Sequence, residues 1–413
     1  MTHAALINPL RVRQDFSLLA PTEGGARLVY LDSAATSQKP NAVLEAMDDY
    51  YRCANANVHR GVYRLAQEAT ERFEDGRRAV AELVAAPLAG TIFTKNATEA
   101  INLVAWAWGL RTLRPNDVVM VTEMEHHSGI VPWQIVAKMT GAEVRFAPIT
   151  PDGELDHEWI DHTLASAPVR MVSIVHVSNV LGTVNPVADI VARAHAHGAL
   201  VLVDASQSVP HMPVSFAGIG CDFMAFTGHK MLGPTGIGVL VGRPEILDGM
   251  EPFLGGGEMI ADVRTDGSDW ADLPNKFEAG TPPIAESVGL GAACIYLSSL
   301  GLDAVRAHEV HLTTYALDAL SEIDGLRIFG PRDPARRGGA LSFHLPDLHP
   351  HDIAQLVDED NVCVRAGHHC AKPLMRALGV NATARASTYI YNDTDDIDAL
   401  VTALHRARAY FAR

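Results

Sequence analysis

Four short apolar runs between Leu103 and Gly242 constrain this chain more than anything else in it: Val118-Val119-Met120-Val121, Met171-Val172-Ser173-Ile174-Val175, Leu200-Val201-Leu202-Val203 and Phe223-Met224-Ala225-Phe226. Runs of this length without polar alternation suit strands covered on both faces. The segments between them, such as Pro186 to Gly198, are long enough for crossover helices. An α/β fold with a largely parallel sheet is therefore expected. Each run is followed by polar residues: Glu125-His126-His127, Ser178-Asn179, Asp204 with Gln207, and Thr227-Gly228-His229-Lys230. Ligands of open α/β sheets bind outside the carboxyl ends of the strands, so four strands aim chemistry at one rim.

From Tyr296 onward the pattern changes to mixed helix and strand, with strands expected at Ala340–Leu345 and Val362–Arg365. Ile397, Leu400, Val401, Leu404 and Phe411 form one stripe of a terminal helix behind an acidic first turn. A chain of 413 residues exceeds one ordinary hydrophobic core. The division expected is a segment 1–29 packing with the smaller unit, a large domain 30–295 and a small C-terminal α+β domain 296–413.

A net charge of −16 argues against nucleic acid as a partner, since binders of that kind carry a basic footprint. Arg11, Arg13 and Asp15 interrupt any secretory apolar core near the start, and no apolar run reaches the roughly 18 residues of a membrane span. A cytoplasmic protein away from membranes is expected. The five cysteines, Cys53, Cys221, Cys294, Cys363 and Cys370, include no CxxC pair, which speaks for reduced thiols rather than disulfides or a zinc knuckle.

Lys230 stands at a strand exit, by default a solvated charge, and the glycines from Gly233 to Gly238 do not fit a phosphate loop of the GxxxxGK[ST] kind. Asp204 alters that reading. A carboxylate ending an apolar strand is expensive to bury without a cation, and a protonated pyridine nitrogen is such a cation. A Schiff-base lysine with a ring-nitrogen aspartate is what a pyridoxal phosphate (PLP) site requires. His126 could stack on a pyridine ring and move protons, or be an ordinary hydrogen-bonded loop histidine. Thr98 opens an amphipathic helix, where a hydroxyl serves equally as a phosphate contact or as an N-terminal cap.

Ordered motifs then span most of the chain: NANVHRGVYRLAQEAT, FTKNATEAINLVA, EMEHHSGIVPWQ, HVSNVLGTVNP, VDASQSVPH, TGHKMLGPTGIGVL, FEAGTPPIAESVGLGAA, RAGHHCAKPLM and RASTYIYND. In this series the chain resembles the group II, SufS-type cysteine desulfurases of the class V aminotransferase superfamily, PLP enzymes of fold type I. The resemblance implies that Lys230 carries the cofactor, Asp204 keeps its pyridine nitrogen protonated, Gln207 bonds its phenolic oxygen and His126 stacks on the ring. Thr98, Thr227 and His229 would hold the phosphate, joined by Thr281 from the other subunit of a homodimer. Asn179 and Arg385 would bind the substrate carboxylate, a guanidinium fork suiting it better than an ammonium, and Arg365 would shape the same cleft. The chain departs from the family's common pattern in TGHK for SGHK, in Ser128-Gly129 after the histidine pair, and in Lys372.

Cys370 as a zinc ligand would need about four convergent donors, and as a silent core thiol it would stand apart from the motif series. A nucleophile is the better reading, with Arg365 and protonated His368 or His369 favouring the thiolate. The activity implied is conversion of L-cysteine to L-alanine, with a Cys370 persulfide passed to an acceptor for iron–sulfur cluster assembly. A selenocysteine lyase, a cysteine sulfinate desulfinase or an epimerase of the same fold are the alternatives. A non-catalytic sulfur-trafficking scaffold would have no physical need to keep Lys230, Asp204, His126 and Cys370 together. His351 reads from spacing as a histidine beside a helix cap. The resemblance implies instead that it replaces a zinc ligand of a SufU-type zinc-containing acceptor, in preference to a zinc-free SufE-type one. No metal of the chain's own is expected.

Overall fold

The computed structural model describes residues 7–20, 25 and 27–411; the remainder of the segment 1–29 expected to pack with the smaller unit lies outside the described residues. Seven strands form the central sheet in the order Thr91–Thr94, Gly238–Gly242, Phe223–Thr227, Leu200–Asp204, Val169–Val175, Val118–Thr122 and Glu143–Ala147. Only Gly238–Gly242 runs against the others.

The continuous apolar runs are explained by which way alternate residues point. Val118, Met120, Val172, Ile174, Val201, Val203, Met224 and Phe226 enter one core, while Val119, Val121, Met171, Leu202, Phe223 and Ala225 enter a second on the opposite face. Successive strand residues face opposite sides, so a strand covered twice has no polar position to offer. The helix Val187–Ala196 lies within the crossover expected there. In this sheet the sequence reading missed three strands, Thr91–Thr94, Glu143–Ala147 and Gly238–Gly242. Glu143–Ala147 sits at the sheet edge, where Glu143 and Arg145 reach solvent and interrupt the apolar signal.

The second, antiparallel sheet has the order Arg327–Ile328, Ala340–His344, Thr383–Ser387 and Arg365–Gly367. The single strand expected at Val362–Arg365 is divided. Val362–Cys363 pairs in parallel with Val29–Tyr30, and only Arg365–Gly367 joins the four-stranded sheet. In the terminal helix Thr394–Phe411, Ile397, Leu400 and Leu404 enter the core of this unit, whereas Phe411 is exposed, so the expected stripe ends a turn early. Among the described residues, no single helix is long and apolar enough to cross a membrane.

Candidate active site

The carboxyl ends of the parallel strands and the loop after Arg365–Gly367 enclose a cavity of about 280 Å³. Lys230, Asp204, Gln207, His126, Thr98, Thr227, His229, Asn179, Arg365, Arg385 and Cys370 all line it. Thr281 does not; it lines a separate cleft with Phe253 and Leu254. His351 is also elsewhere, exposed in the first turn of the helix Pro350–Asp358.

Lys230 ends the turn Gly228–Lys230 that follows the strand Phe223–Thr227. Burial pushes its ammonium down to about 8, against the opposing pull of Asp204. A lysine of that basicity is partly neutral near physiological pH and therefore nucleophilic. Asp204 closes the neighbouring strand, is buried, and accepts from the Ser206 N–H at 3.0 Å. His126 Nδ1 accepts from the Ser128 N–H at 3.2 Å and lies 2.7 Å from Ser128 Oγ. That leaves the ring proton on Nε2, and burial together with Lys230 lowers the imidazole to about 4. Ser128 thus orients His126, a role the sequence reading did not assign.

Thr98 is not the cap of its helix. Asn96 is: its side chain accepts from the Glu99 N–H at 3.0 Å, which leaves the Thr98 hydroxyl for other work. Gly238 permits this placement, since a Cβ there would lie 2.5 Å from the Asn96 backbone. Thr227 Oγ1 is buried without a hydrogen-bond partner. Gln207 donates one amide N–H to Ala34 O at 2.7 Å and has a second to spare. Burial lowers His229 to about 4.

Arg365 and Arg385 are opposite each other in the antiparallel ladder and share Asp32, at 3.8 Å and 3.0 Å respectively. Arg385 is fully buried, donates to Asn179 O at 2.8 Å, and keeps its Nε unpaired.

Cys370 is exposed at the cavity mouth, and its backbone is unusual: His369 and Cys370 have φ of +47° and +55°. Two successive left-handed residues cost roughly 1–2 kcal/mol each, so neighbours must hold the loop. His369 is buried against Thr383, with Nε2 2.9 Å from Oγ1, and burial lowers it to about 3. Desolvation thus disfavours the protonated His369 expected to promote the thiolate. His368 is likewise engaged, since its Nδ1 accepts from the Cys370 N–H at 3.2 Å. Arg365 remains as the cation of the cavity mouth. The other four thiols are pushed toward their protonated forms, Cys221 and Cys294 by burial, Cys363 by partial burial, and Cys53 by its hydrogen bond to Asp49. Among the described residues, no group of three or more potential ligands is placed to hold a metal ion.

Glu125 escaped the sequence reading. It is wholly buried behind His126, and its Oε1 accepts from Thr122 Oγ1 at 2.7 Å and from the Val175 N–H at 2.9 Å. Burial raises it to about 8, so it carries a proton at neutral pH. The folded protein holds that proton where the unfolded chain, with an ordinary value of 4.5, releases it. Stability contributed by Glu125 is thus complete below 4.5 and falls as pH rises toward 8, by on the order of 4 kcal/mol. Glu125→Gln keeps the accepting oxygen without the titration. Denaturation midpoints at pH 5 and pH 8.5 should show the wild type losing several kcal/mol relative to the variant; parallel losses would mean Glu125 does not hold the proton.

The profile of the aminotransferase class-V family matches residues 29–400. A Streptomyces coelicolor protein named "Probable cysteine desulfurase" is 52% identical over 412 residues, covering 98% of each chain. The apo structure of a cysteine desulfurase from Thermococcus onnurineus superposes with a TM-score of 0.92 at 39% identity, covering 98% of both chains. The structure of the Escherichia coli cysteine desulfurase CsdA gives 0.90 at 38% identity, over 98% of this chain and 100% of that one. Likeness this even, over a sheet whose strand ends converge on one lysine, one aspartate and one accessible thiol, leaves a single conclusion: the chain belongs to the cysteine desulfurases of the class-V aminotransferase family.

Proposed function

We propose that the protein converts L-cysteine to L-alanine with PLP and receives the sulfur on Cys370 as a persulfide. One juxtaposition carries the reading: Lys230, Asp204, His126 and Cys370 line the same cavity. The donor set fits the cofactor. Asp204 suits a pyridinium nitrogen, the free amide N–H of Gln207 suits a phenolic oxygen, and the unpaired Thr227 hydroxyl with Thr98 and His229 suits a phosphate. When bound, PLP supplies an electron sink for the substrate's α-carbon.

The chain's own residues do the rest. Lys230 offers a weakly basic amine that joins the cofactor and carries protons near the α-carbon. His126 holds a proton on Nε2 for transfer to or from the substrate. Arg385, supported by Asn179, binds the carboxylate. The Cys370 thiolate attacks the substrate sulfur, so that an S–S bond forms as the C–S bond breaks. The electron pair and then a proton go to the β-carbon. One cysteine and one thiol become one alanine and one persulfide.

Incubating the purified protein with L-cysteine should yield alanine together with a reducible persulfide on Cys370. Selenocysteine or cysteine sulfinate turned over in preference would assign a sister activity instead.

The same reading divides the chain into the domains 30–295 and 296–413, with segment 1–29 against the smaller. It makes the protein a cytoplasmic homodimer, in which Thr281 reaches the partner's phosphate. The exposed apolar side chains Val62, Tyr63, Leu254 and Val263 support a subunit interface, and the free cysteines suit a reducing compartment.

For the acceptor, we propose a SufU-type zinc protein that His351 engages by taking one zinc position, with the sulfur destined for iron–sulfur cluster assembly. His351 is exposed, and its ring stacks on that of His349, which caps the helix by accepting from the His351 N–H at 3.3 Å. Neutral imidazole is a good zinc ligand. His351→Ala should keep the slow reaction of the enzyme alone and lose the acceleration by the zinc acceptor, roughly tenfold or more for a lost ligand. Alanine production with and without the acceptor measures this, and full acceleration of the variant would remove the ligand exchange.

A further inference from the structure

The loop that carries Cys370 is fastened at three backbone groups by two histidines, twice through a ring nitrogen and once through the backbone N–H of His127. The His127 N–H donates to Cys370 O at 2.7 Å. His127 Nε2 accepts from the Lys372 N–H at 3.1 Å. His368 Nδ1 accepts from the Cys370 N–H at 3.2 Å. The two rings stand 5.6 Å apart, centre to centre. His127 comes from the large sheet's rim and His368 from the loop itself, so the fastening crosses between the two parts of the molecule that form the cavity. Asn179 adds one more bond across the same gap, donating to His369 O at 2.9 Å.

From this geometry we infer that His127 and His368 are positioning residues: a clasp that holds the Cys370 loop in its sulfur-receiving position and works only while both imidazoles are neutral. The inference rests on the reading of Cys370 as sulfur acceptor. A neutral imidazole has one accepting nitrogen, and an imidazolium has none. Each clasp nitrogen faces a loop N–H, so a proton arriving on either removes an acceptor and opens one fastening. The left-handed backbone at His369 and Cys370 makes the loop dependent on such support. His127 touches neither the lysine nor the cavity, and His126 alone of the pair lines it.

The groups that face His127 are His126, with ring centres 6.3 Å apart, His368 and the Lys372 ammonium. All are cationic or can become so. Partial burial together with His368 and Lys372 holds His127 below its ordinary value, which keeps the clasp closed near neutral pH. Acidification through that range opens it.

Two variants separate acceptor from shape. Glutamine can place an uncharged oxygen where Nε2 lies, and alanine cannot. In the PLP-loaded enzyme, His127→Ala should exchange the amide hydrogens of the peptide around residues 366–376 about tenfold faster, the loss of one hydrogen bond, with the rest of the chain unchanged. Its kcat for alanine should fall about a hundredfold with KM nearly constant, as expected when a reacting group is misplaced. His127→Gln should restore both protection and kcat, and should reduce the rise in loop exchange, corrected for intrinsic pH dependence, that the wild type shows as pH falls from 7 to 5. The visible cofactor band should be the same in all three proteins. Unchanged loop exchange in His127→Ala, or a glutamine variant behaving like the alanine one, would overturn the clasp. Amide exchange is read without turnover, so the clasp is tested even if Cys370 proves not to receive the sulfur.

Discussion

Lys230→Ala is expected to give a folded, colourless protein, where the wild type is yellow from PLP joined to an amine. The reason is chemical and positional. Only an amine can make that linkage, and Lys230 is the lysine of the cavity, with burial lowering it to about 8 so that a neutral fraction exists at physiological pH. Alanine formation from cysteine should fall by at least about a thousandfold, the scale seen when a covalent catalytic group is removed. The fold should survive, because the deletion replaces a charged group buried at some cost with a small apolar one. The visible spectrum after PLP addition and removal of excess is the decisive measurement. A band that persists in the variant and that borohydride reduces onto another lysine would mean a different cofactor anchor, and a colourless wild type would end the PLP reading.

Cys370→Ala separates cofactor chemistry from sulfur transfer. This variant should keep the visible band and still change its spectrum on adding L-cysteine, since Lys230, Asp204, Gln207 and His126 are untouched. Alanine release should nevertheless drop by about a thousandfold or more, because no thiolate is left to take the sulfur. Cys53, Cys221, Cys294 and Cys363 cannot substitute: two are buried, and all four thiols are shifted toward protonation. With selenocysteine the loss should be smaller, because the weaker carbon–selenium bond depends less on attack. Wild-type rates with cysteine in Cys370→Ala would overturn the persulfide reading and leave the PLP site intact.

Strands covered on both faces announce themselves as unbroken apolar runs, which is why four of the five inner strands and the rim they share were legible from residues alone. Glu143–Ala147 was not, because an edge strand keeps polar side chains. Gly238–Gly242 was hidden behind the glycine-rich run that ends at Gly238, and its reverse direction depends on pairing partners that no local pattern reveals. At the site, the residues at strand ends could be named because position along a parallel sheet fixes which rim they reach. Asn96 as the true cap, Ser128 behind His126 and the proton on Glu125 required distances. The split of Val362–Gly367 between two sheets was equally invisible, because it is decided by what lies alongside the chain.

That split strand ties one end of the polypeptide to the other. Val29–Tyr30 pairs with Val362–Cys363, Asp32 binds Arg385, and Arg13 reaches the carbonyl of Tyr391. During synthesis Val29 and Tyr30 therefore wait for their strand partner until more than three hundred further residues have been made. The large sheet can close without them, but the final contacts join residues that emerged first to residues that emerged last. Closure of this kind has high contact order and belongs late in folding. Removing the last thirty residues would take Arg385 from Asp32 and Tyr391 from Arg13, so proteolysis at the end of the chain should loosen the start as well.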